Sequence, residues 1–528
     1  MNKITLCISA TAAAAITAFA APIPLDDTFP GGAIVETSPG SDIYEIQSDI
    51  TLDSTTDSYI LMGSTLVKPG VTLTIEPGVV LRGQPFVTAG DIPGSILVTR
   101  GGTIDAEGTA ANPIIMTTAM TAARARWTPA DGDSNFLDAT PKTAPLAPMS
   151  GATPNNGLWG ALTLLGSAPT NLGANATSGV AGEGTIEGYS NTGPDYRYGG
   201  RQPNDSSGTV KYVSIRHSGQ SVSEGDEQQG LTLGGVGYGT LIDYVDIYCT
   251  VDDGIEIFGG TAAIKHFMIS YCKDDALDMD QGYTGFIQFG FVMANDQAVY
   301  ATAELGPNTL GEWDGDDASP IVPGTPFASP TIYNVTFFGG NATVFGDGEA
   351  FNLRNSFGGD IYNCVVAFID QTGALEIGNQ GNSNATGFGY PSTAPTDRVA
   401  AGTLNWGYTS WWNVSGNVAT DIGANATADA IVTNDTGLAP GATNNIVGTN
   451  LLFGGTGAAA QANAQGTASG VNPVPFAGVN VVAPYTSTFF DAVPYRGAFE
   501  SNGSASLWTS GWTAMNLRGI LVTTAFGG

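Results

Sequence analysis

Apolar side chains along most of this chain alternate with polar ones in short stretches rich in Val, Ile, Thr and aromatics, each closed by Gly, Asn or Asp. Such period-two stretches predict strands rather than helices. The stretches also repeat. Lining up Leu231, Ile255 and Leu277 gives steps of 24 and 22 residues, and lining up Val245, Phe267 and Phe289 gives 22 and 22. One column expected to face inward is Val213, Val245, Phe267, Phe289, Val335 and Cys364, with Ile215, Ile247, Ile269, Phe291, Phe337 and Val366 as its companion. A second series pairs Leu231/Leu233, Ile255/Ile257, Leu277/Met279, Phe351/Leu353 and Leu375/Ile377, and strand alternation turns Thr232, Glu256, Asp278, Asn352 and Glu376 outward between them. Two strand columns, Gly-rich corners and a period near 23 residues predict an all-β, single-stranded parallel β-helix, a solenoid whose coils bury their inward residues on one another. Parallel crossovers are overwhelmingly right-handed, so a right-handed coil is expected.

The period is set early, with Leu73 and Ile75 returning 23 residues later as Ile96 and Val98. Insertions near 121–157, 168–208 and 297–327 interrupt it, the last carrying the acidic run GEWDGDD. The expected organisation is a signal segment over 1–20, an N-terminal lead-in or cap over 21–64, and the β-helix over 65–380. Loop-rich final coils and an aromatic C-terminal cap would fill 381–528, with Trp406, Trp411, Trp412, Phe489, Phe490, Tyr495, Trp508 and Trp512 suited to covering the last coil. Long loops hung on a regular scaffold are where binding usually resides.

Residues 1–20 change the picture by compartment. Lys3, the apolar run from Ile4 to Phe19 and the small-residue site Ala18-Phe19-Ala20 predict a secretory signal cleaved after Ala20, hence a secreted or cell-surface protein. No other stretch is apolar for long enough to predict a membrane helix. The 17 Lys and Arg against 48 Asp and Glu leave a net charge of −31, which repels nucleic acid and suits calcium, basic partners or a saline medium. Beyond the signal, Cys249, Cys272 and Cys364 are too few for a disulfide framework. Cys249 and Cys272 would meet across neighbouring coils if the local step is 23, and face opposite sides if it is 22.

The candidate chemistry lies in seven carboxylates, Asp252, Asp253, Glu256, Asp274, Asp275, Asp278 and Asp280. A 22-residue step stacks Asp252 near Asp274, Asp253 near Asp275 and Glu256 near Asp278 at a coil spacing of about 4.8 Å. Opposed like charges destabilise a sheet, so something must compensate. Calcium bridged by all seven is one reading, since dense hard oxygen ligands suit it. Aspartates satisfying backbone amides at tight corners is a second. Catalysis is the third, with Asp253, Asp274, Asp275 and Asp278 as candidates and one carboxyl raised by its neighbours to serve as a general acid. Lys211, Arg216, Lys265, Lys273 and Arg354 are the basic residues nearby in the sequence, and charge balance accounts for them. His217 and His266 have no metal-ligand spacing, and no phosphate-binding glycine loop, nucleophile elbow or zinc motif occurs.

Several phrases, among them GVTLTIEPGVVLRG, GGTIDAEGTAANPIIMTT, LWGALTLLGSAPTN, VKYVSIRHSG, LTLGGVGYGTLIDYVDIY and VPYRGAFE, resemble a family of exported bacterial proteins predicted to form right-handed parallel β-helices, over about residues 65–515. That resemblance implies a fold and a surface or extracellular compartment. VDDGIEI and KDDALDMDQG are also distantly similar to the paired-aspartate coils of pectin-cleaving β-helix enzymes, although the Gly-His-Gly and Arg-Ile-Lys tripeptides of those enzymes do not occur in this chain. The expected function is a structural, adhesive or extracellular glycan-binding role. The alternative is a polysaccharide lyase or glycoside hydrolase acting on acidic glycans through the stacked carboxylates of residues 252–280.

Overall fold

Two long, mainly parallel sheets wind around a common interior, as expected of a parallel β-helix. The structure is a computed structural model that describes residues 23–55, 59–85, 92–119, 156–223, 226–294, 308–315, 326–342, 349–369, 372–378, 398–399, 402–414, 422–424, 426–433, 445–449, 471–475, 481, 483, 487–500, 506–517 and 521–523. The expected signal segment and most of the 121–157 insertion lie outside the described residues.

The second sheet is the simpler one. It runs in parallel from Ile43–Ile46 through Ser64–Val67, Ser95–Val98, Leu162–Leu165, Leu231–Gly234, Ile255–Phe258, Leu277–Asp280, Gly311–Asp314 and Phe351–Arg354 to Leu375–Ile377. The first sheet is folded along its length. Strands Gly208–Arg216, Leu241–Tyr248, Ala263–Ser270 and Phe286–Met293 each bend at one residue held at positive φ: Tyr212 (49°), Tyr244 (56°), His266 (48°) and Phe289 (60°). Asn334, Asn363 and Tyr408 turn the later coils in the same way, so a coil has three faces where the sequence predicts two columns. A left-handed backbone is unfavourable for Tyr, His and Phe. Here it throws successive rings outward into a stack, Tyr212 on Tyr244 at 4.2 Å, Tyr244 on His266 at 4.3 Å and His266 on Phe289 at 4.9 Å.

Inward residues form one continuous apolar column from Leu25 to Val432, including Val213, Val245, Phe267, Ile215, Ile247, Ile269 and Cys364 as expected. Phe289 and Phe291 depart from the expectation. The local step is 23, so Phe267 pairs with Gly290 and Ile269 with Val292, which puts Phe289 at the corner and Phe291 on the outer surface of the sheet. Gly290 is needed because a Cβ there would come within 2.1 Å of the Phe267 ring. Gly290→Ala is therefore expected to cost about 1–3 kcal/mol through overpacking, seen as a lower thermal midpoint; an unchanged midpoint would refute the contact.

Leu73 and Ile75 are likewise not in line with Ile96 and Val98. They pair with Ile50 and Leu52 before them and Ile104 and Ala106 after them, whereas Ile96 and Val98 pair with Thr65 and Val67 on the other sheet. A 31-residue coil between Leu73 and Ile104 makes a 23-residue step land on a different face. Coils also start before residue 65, with Ile50–Leu52 and Tyr59–Leu61 already paired in parallel. The run GEWD, expected within an insertion, is a core strand with Trp313 pointing inward.

Cys249 and Cys272 are not joined by a disulfide. Tyr248 pairs with Ser270, a 22-residue step, so Cys249 sits on the outer cluster and Cys272 in the central column. The aromatics expected to cover the last coil divide in two. Trp406 and Trp411 belong to the central column, and helix Ala426–Thr433 covers that end with Ala428, Ile431 and Val432. Phe489, Phe490, Tyr495, Trp508 and Trp512 instead lie along the outer flank of the first sheet, from Tyr212 to Tyr333. Bonds from Lys265 Nζ to Asp491 (2.8 Å), Asn334 Nδ2 to the Tyr495 carbonyl (2.8 Å) and the Ala514 amide to Asp246 (2.8 Å) attach the segment.

Candidate functional site

On the second sheet, alternation turns polar side chains away from the core, and one such position recurs on every coil from Leu162–Leu165 onward. In register these are Thr163, Thr232, Glu256, Asp278, Glu312, Asn352 and Glu376. Outward does not mean exposed, because Glu256, Asp278 and Glu312 are only 5–9% accessible. The 168–208 insertion folds over the upper rungs. Tyr189 bonds Thr163 (3.1 Å), Tyr198 donates to Gln281 (2.7 Å) and Asn171 reaches the Gly315 carbonyl (3.0 Å).

The doubled aspartates lie at the corner that leads into this sheet. Carboxylate oxygens of Asp252, Asp253 and Asp274 lie within 4.8 Å of one another, and so do those of Asp253, Glu256 and Asp278. Two triads thus share Asp253. Asp275 and Asp280 flank them without entering either group, and Asp280 pairs in register with Phe258. The corner-amide reading accounts for part of this, since Asp253 accepts from the Asp275 amide at 2.8 Å. It does not account for Asp252, which accepts from the Gln229 side chain (3.3 Å) and shares a hydrogen bond with Asp274.

Burial, reinforced by neighbouring carboxylates, pushes Asp252 up to about 9 and holds Asp253, Glu256 and Asp278 well above the usual carboxylate range. Glu256 also shares a hydrogen bond with Glu187, which requires a proton on one of the two. Glu256 Oε2 and Asp278 Oδ1 are buried with no hydrogen-bond partner among the described residues.

Glu187 and Gln229 were not among the sequence candidates. Burial pushes Glu187 up to about 7, and Gln229 donates to it at 2.6 Å while accepting from Thr232 at 2.6 Å. Neither lies within the repeat of paired acids, so spacing gave no signal for them. The basic residues are mostly elsewhere. Lys211, Arg216 and Lys265 belong to strands of the first sheet. Arg354, two coils beyond Asp278, is ion-paired with Glu312 and Asp314. Lys273 is exposed beside Asp274. His217 is buried, and His266 is stacked in the corner column with Nδ1 at 2.8 Å from Asp243. Neither histidine is in the acidic triads.

The pectate-lyase like beta helix domain matches residues 44–128 and 140–445. No curated protein and no solved structure matches the chain. The matched span covers the parallel coils, their three faces and the acidic ladder alike, and on that basis the chain belongs to the pectate-lyase-like β-helix family.

Proposed function

We propose that this protein is an exported β-helix that binds extracellular polysaccharide along the acidic flank of its second sheet. The observation that carries this reading is the pair of carboxylate triads sharing Asp253 beneath the 168–208 insertion. A family built on the lyase-like solenoid supports a carbohydrate ligand, and the leader-like first 20 residues support export. The donor set fits calcium: hard oxygen atoms only, two of them buried without a partner among the described residues. Asp252, Asp253, Glu256, Asp274 and Asp278 would hold the ion, with Asp275 and Asp280 alongside. It would neutralise the stack and offer oxygen-binding positions to sugar hydroxyl or carboxylate groups.

A hydrolytic reading draws on Glu187, whose raised value suits a general acid near neutral pH. A lyase reading has less support, because a basic residue must face the sugar acid, and Lys211, Arg216 and Lys265 sit on the other sheet and Arg354 is ion-paired, which leaves Lys273, exposed beside Asp274. The test is retention of the purified protein on immobilised pectin, alginate and neutral glycans in calcium and in chelator. Retention is expected in calcium and is expected to drop at least about tenfold for Asp253→Asn, one charged ligand contact being worth more than 1.4 kcal/mol. Equal migration of both proteins on every glycan would overturn the binding reading. Release of reducing ends, abolished in Glu187→Gln, would establish hydrolysis instead.

A further inference from the structure

Beside the acidic ladder the same insertion encloses a space of different chemistry. Residues 188–196 arch back over the early coils and close a cavity of about 240 Å³. Ile43, Ile92, Pro93, Tyr189 and Tyr196 give it an apolar wall, and no Asp, Glu, Lys or Arg is among the described residues that line it. The two tyrosine rings stand 5.6 Å apart at 51°. Their positions are set from outside the cavity. Tyr189 is bonded to Thr163, and Lys68 bridges Glu45 (2.9 Å) and Asp195 (2.8 Å), pinning the arch to an early coil.

The polar atoms of the lining are few, and two of them have no hydrogen-bond partner among the described residues. Gln228 is 3% exposed, and its amide is oriented by a bond from Nε2 to the Gly188 carbonyl at 2.8 Å, which leaves Oε1 as a buried acceptor with no partner among the described residues. Ser64, 2% exposed, is in the same lining and its hydroxyl has no partner among the described residues. Asn191, exposed at the rim, accepts from the Gly193 amide and lies within hydrogen-bond reach of the Tyr196 hydroxyl. An unsatisfied buried acceptor is costly and rewards a ligand that donates to it.

Volume, lining and charge together narrow the ligand. The space is smaller than the roughly 300–1,000 Å³ of sites for drug-sized molecules, so it holds a single ring. Aromatic walls suit the C–H face of a sugar, and the buried acceptor suits one of its hydroxyls. An anionic ring would enter uncompensated, with Glu187 and Asp252 joined through Gln229, the residue next to Gln228. We propose that this cavity takes one uncharged pyranose unit of a glycan whose further units run along the acidic ladder. The proposal rests on the glycan-binding reading and deepens it, since it makes the preferred ligand a neutral or mixed polysaccharide rather than a pure polyuronate.

Calorimetry on the full chain in calcium separates the two readings. The probes are oligogalacturonate and neutral gluco-, manno-, galacto- and xylo-oligosaccharides, titrated into the parent protein and into Asn191→Ala, Tyr196→Ala and Asp253→Asn. Asn191→Ala alters an exposed rim, so its result stands even if Tyr196→Ala folds poorly. At least one neutral oligosaccharide is expected to bind the parent, with Tyr196→Ala weaker by about tenfold, the scale of one lost aromatic contact, and Asn191→Ala weaker by about threefold. Oligogalacturonate binding, if present, is expected to be unaffected by either change. Failure of every neutral probe, or equal affinity in the parent and both rim variants, would overturn the cavity proposal. The glycan reading would survive that result if Asp253→Asn still reduced oligogalacturonate binding, and would fall with it if no saccharide bound.

Discussion

Calcium added to chelated protein at pH 8 is expected to raise the thermal midpoint by several degrees, and the same addition at pH 5 to raise it less. The reason is the sign of the carboxyl shifts. Asp252, Asp253, Glu256 and Asp278 all hold their protons more tightly in the fold than an ordinary carboxyl does, with Asp252 raised to about 9. Below the unfolded value, near 4, both states are protonated and these groups impose no penalty. As pH rises from there toward 9, unfolding releases protons that the fold retains, so stability is lost across that interval. In chelator the midpoint should therefore fall from pH 5 to pH 9. A bound divalent ion would take the place of those protons and remove the penalty, contributing about 2.7 kcal/mol at a hundredfold excess over Kd.

Asp253→Asn gives the same account a second sign. The amide can still accept from the Asp275 backbone N–H while removing the charge common to both triads, so the variant should be more stable than the parent in chelator and gain less from calcium. A midpoint flat in both pH and calcium would overturn the cation reading of the acids.

Trp313→Ala is expected to cost about 3–5 kcal/mol, the largest effect of any single core change considered for this solenoid. The indole is fully buried and its ring lies 5.5 Å from Phe357, 5.6 Å from Trp406, 6.0 Å from Phe351 and 6.4 Å from Phe337. Its Nε1 also donates to the Leu277 carbonyl at 3.0 Å. Trp313→Phe should restore most of the packing and leave that carbonyl short of a donor, a residual cost of about 1–3 kcal/mol. Denaturant unfolding followed by tryptophan fluorescence and by circular dichroism would rank the three proteins. Equal midpoints for the parent and the alanine variant would mean that Gly311–Asp314 is not a core strand.

Trp313 also shows where reading the chain stops. Period-two alternation revealed Ile255/Ile257 and Leu277/Met279 because consecutive coils repeat there at nearly constant length. GEWD has one apolar side chain among acids and glycine, and flanking stretches of unequal length hide its register. Unequal coils likewise misled the register elsewhere: one added residue moved Phe289 from the core to the corner, and a 31-residue coil put Ile96 on a different face from Leu73. The stacked acids were legible for the same reason as the core, being locked to the 22-residue step. Their cover was not. Glu187, Tyr189 and Tyr196 come from an aperiodic insertion, and only the folded chain brings them over Thr163 and Glu256.

The ring stack at the bend of the first sheet has a consequence for how the molecule comes apart. In a solenoid whose coils touch only their neighbours, the ends can fray while the middle persists. Here the segment around Phe489 to Leu521 crosses the edges of several coils, touching Tyr212, Tyr244, His266, Phe289 and Tyr333 through Trp512, Trp508, Tyr495 and Phe490. No one of those coils can loosen without breaking contacts that belong to the others. That segment thus works as a lacing, and a ribbon otherwise able to unzip turn by turn is joined into one cooperative unit.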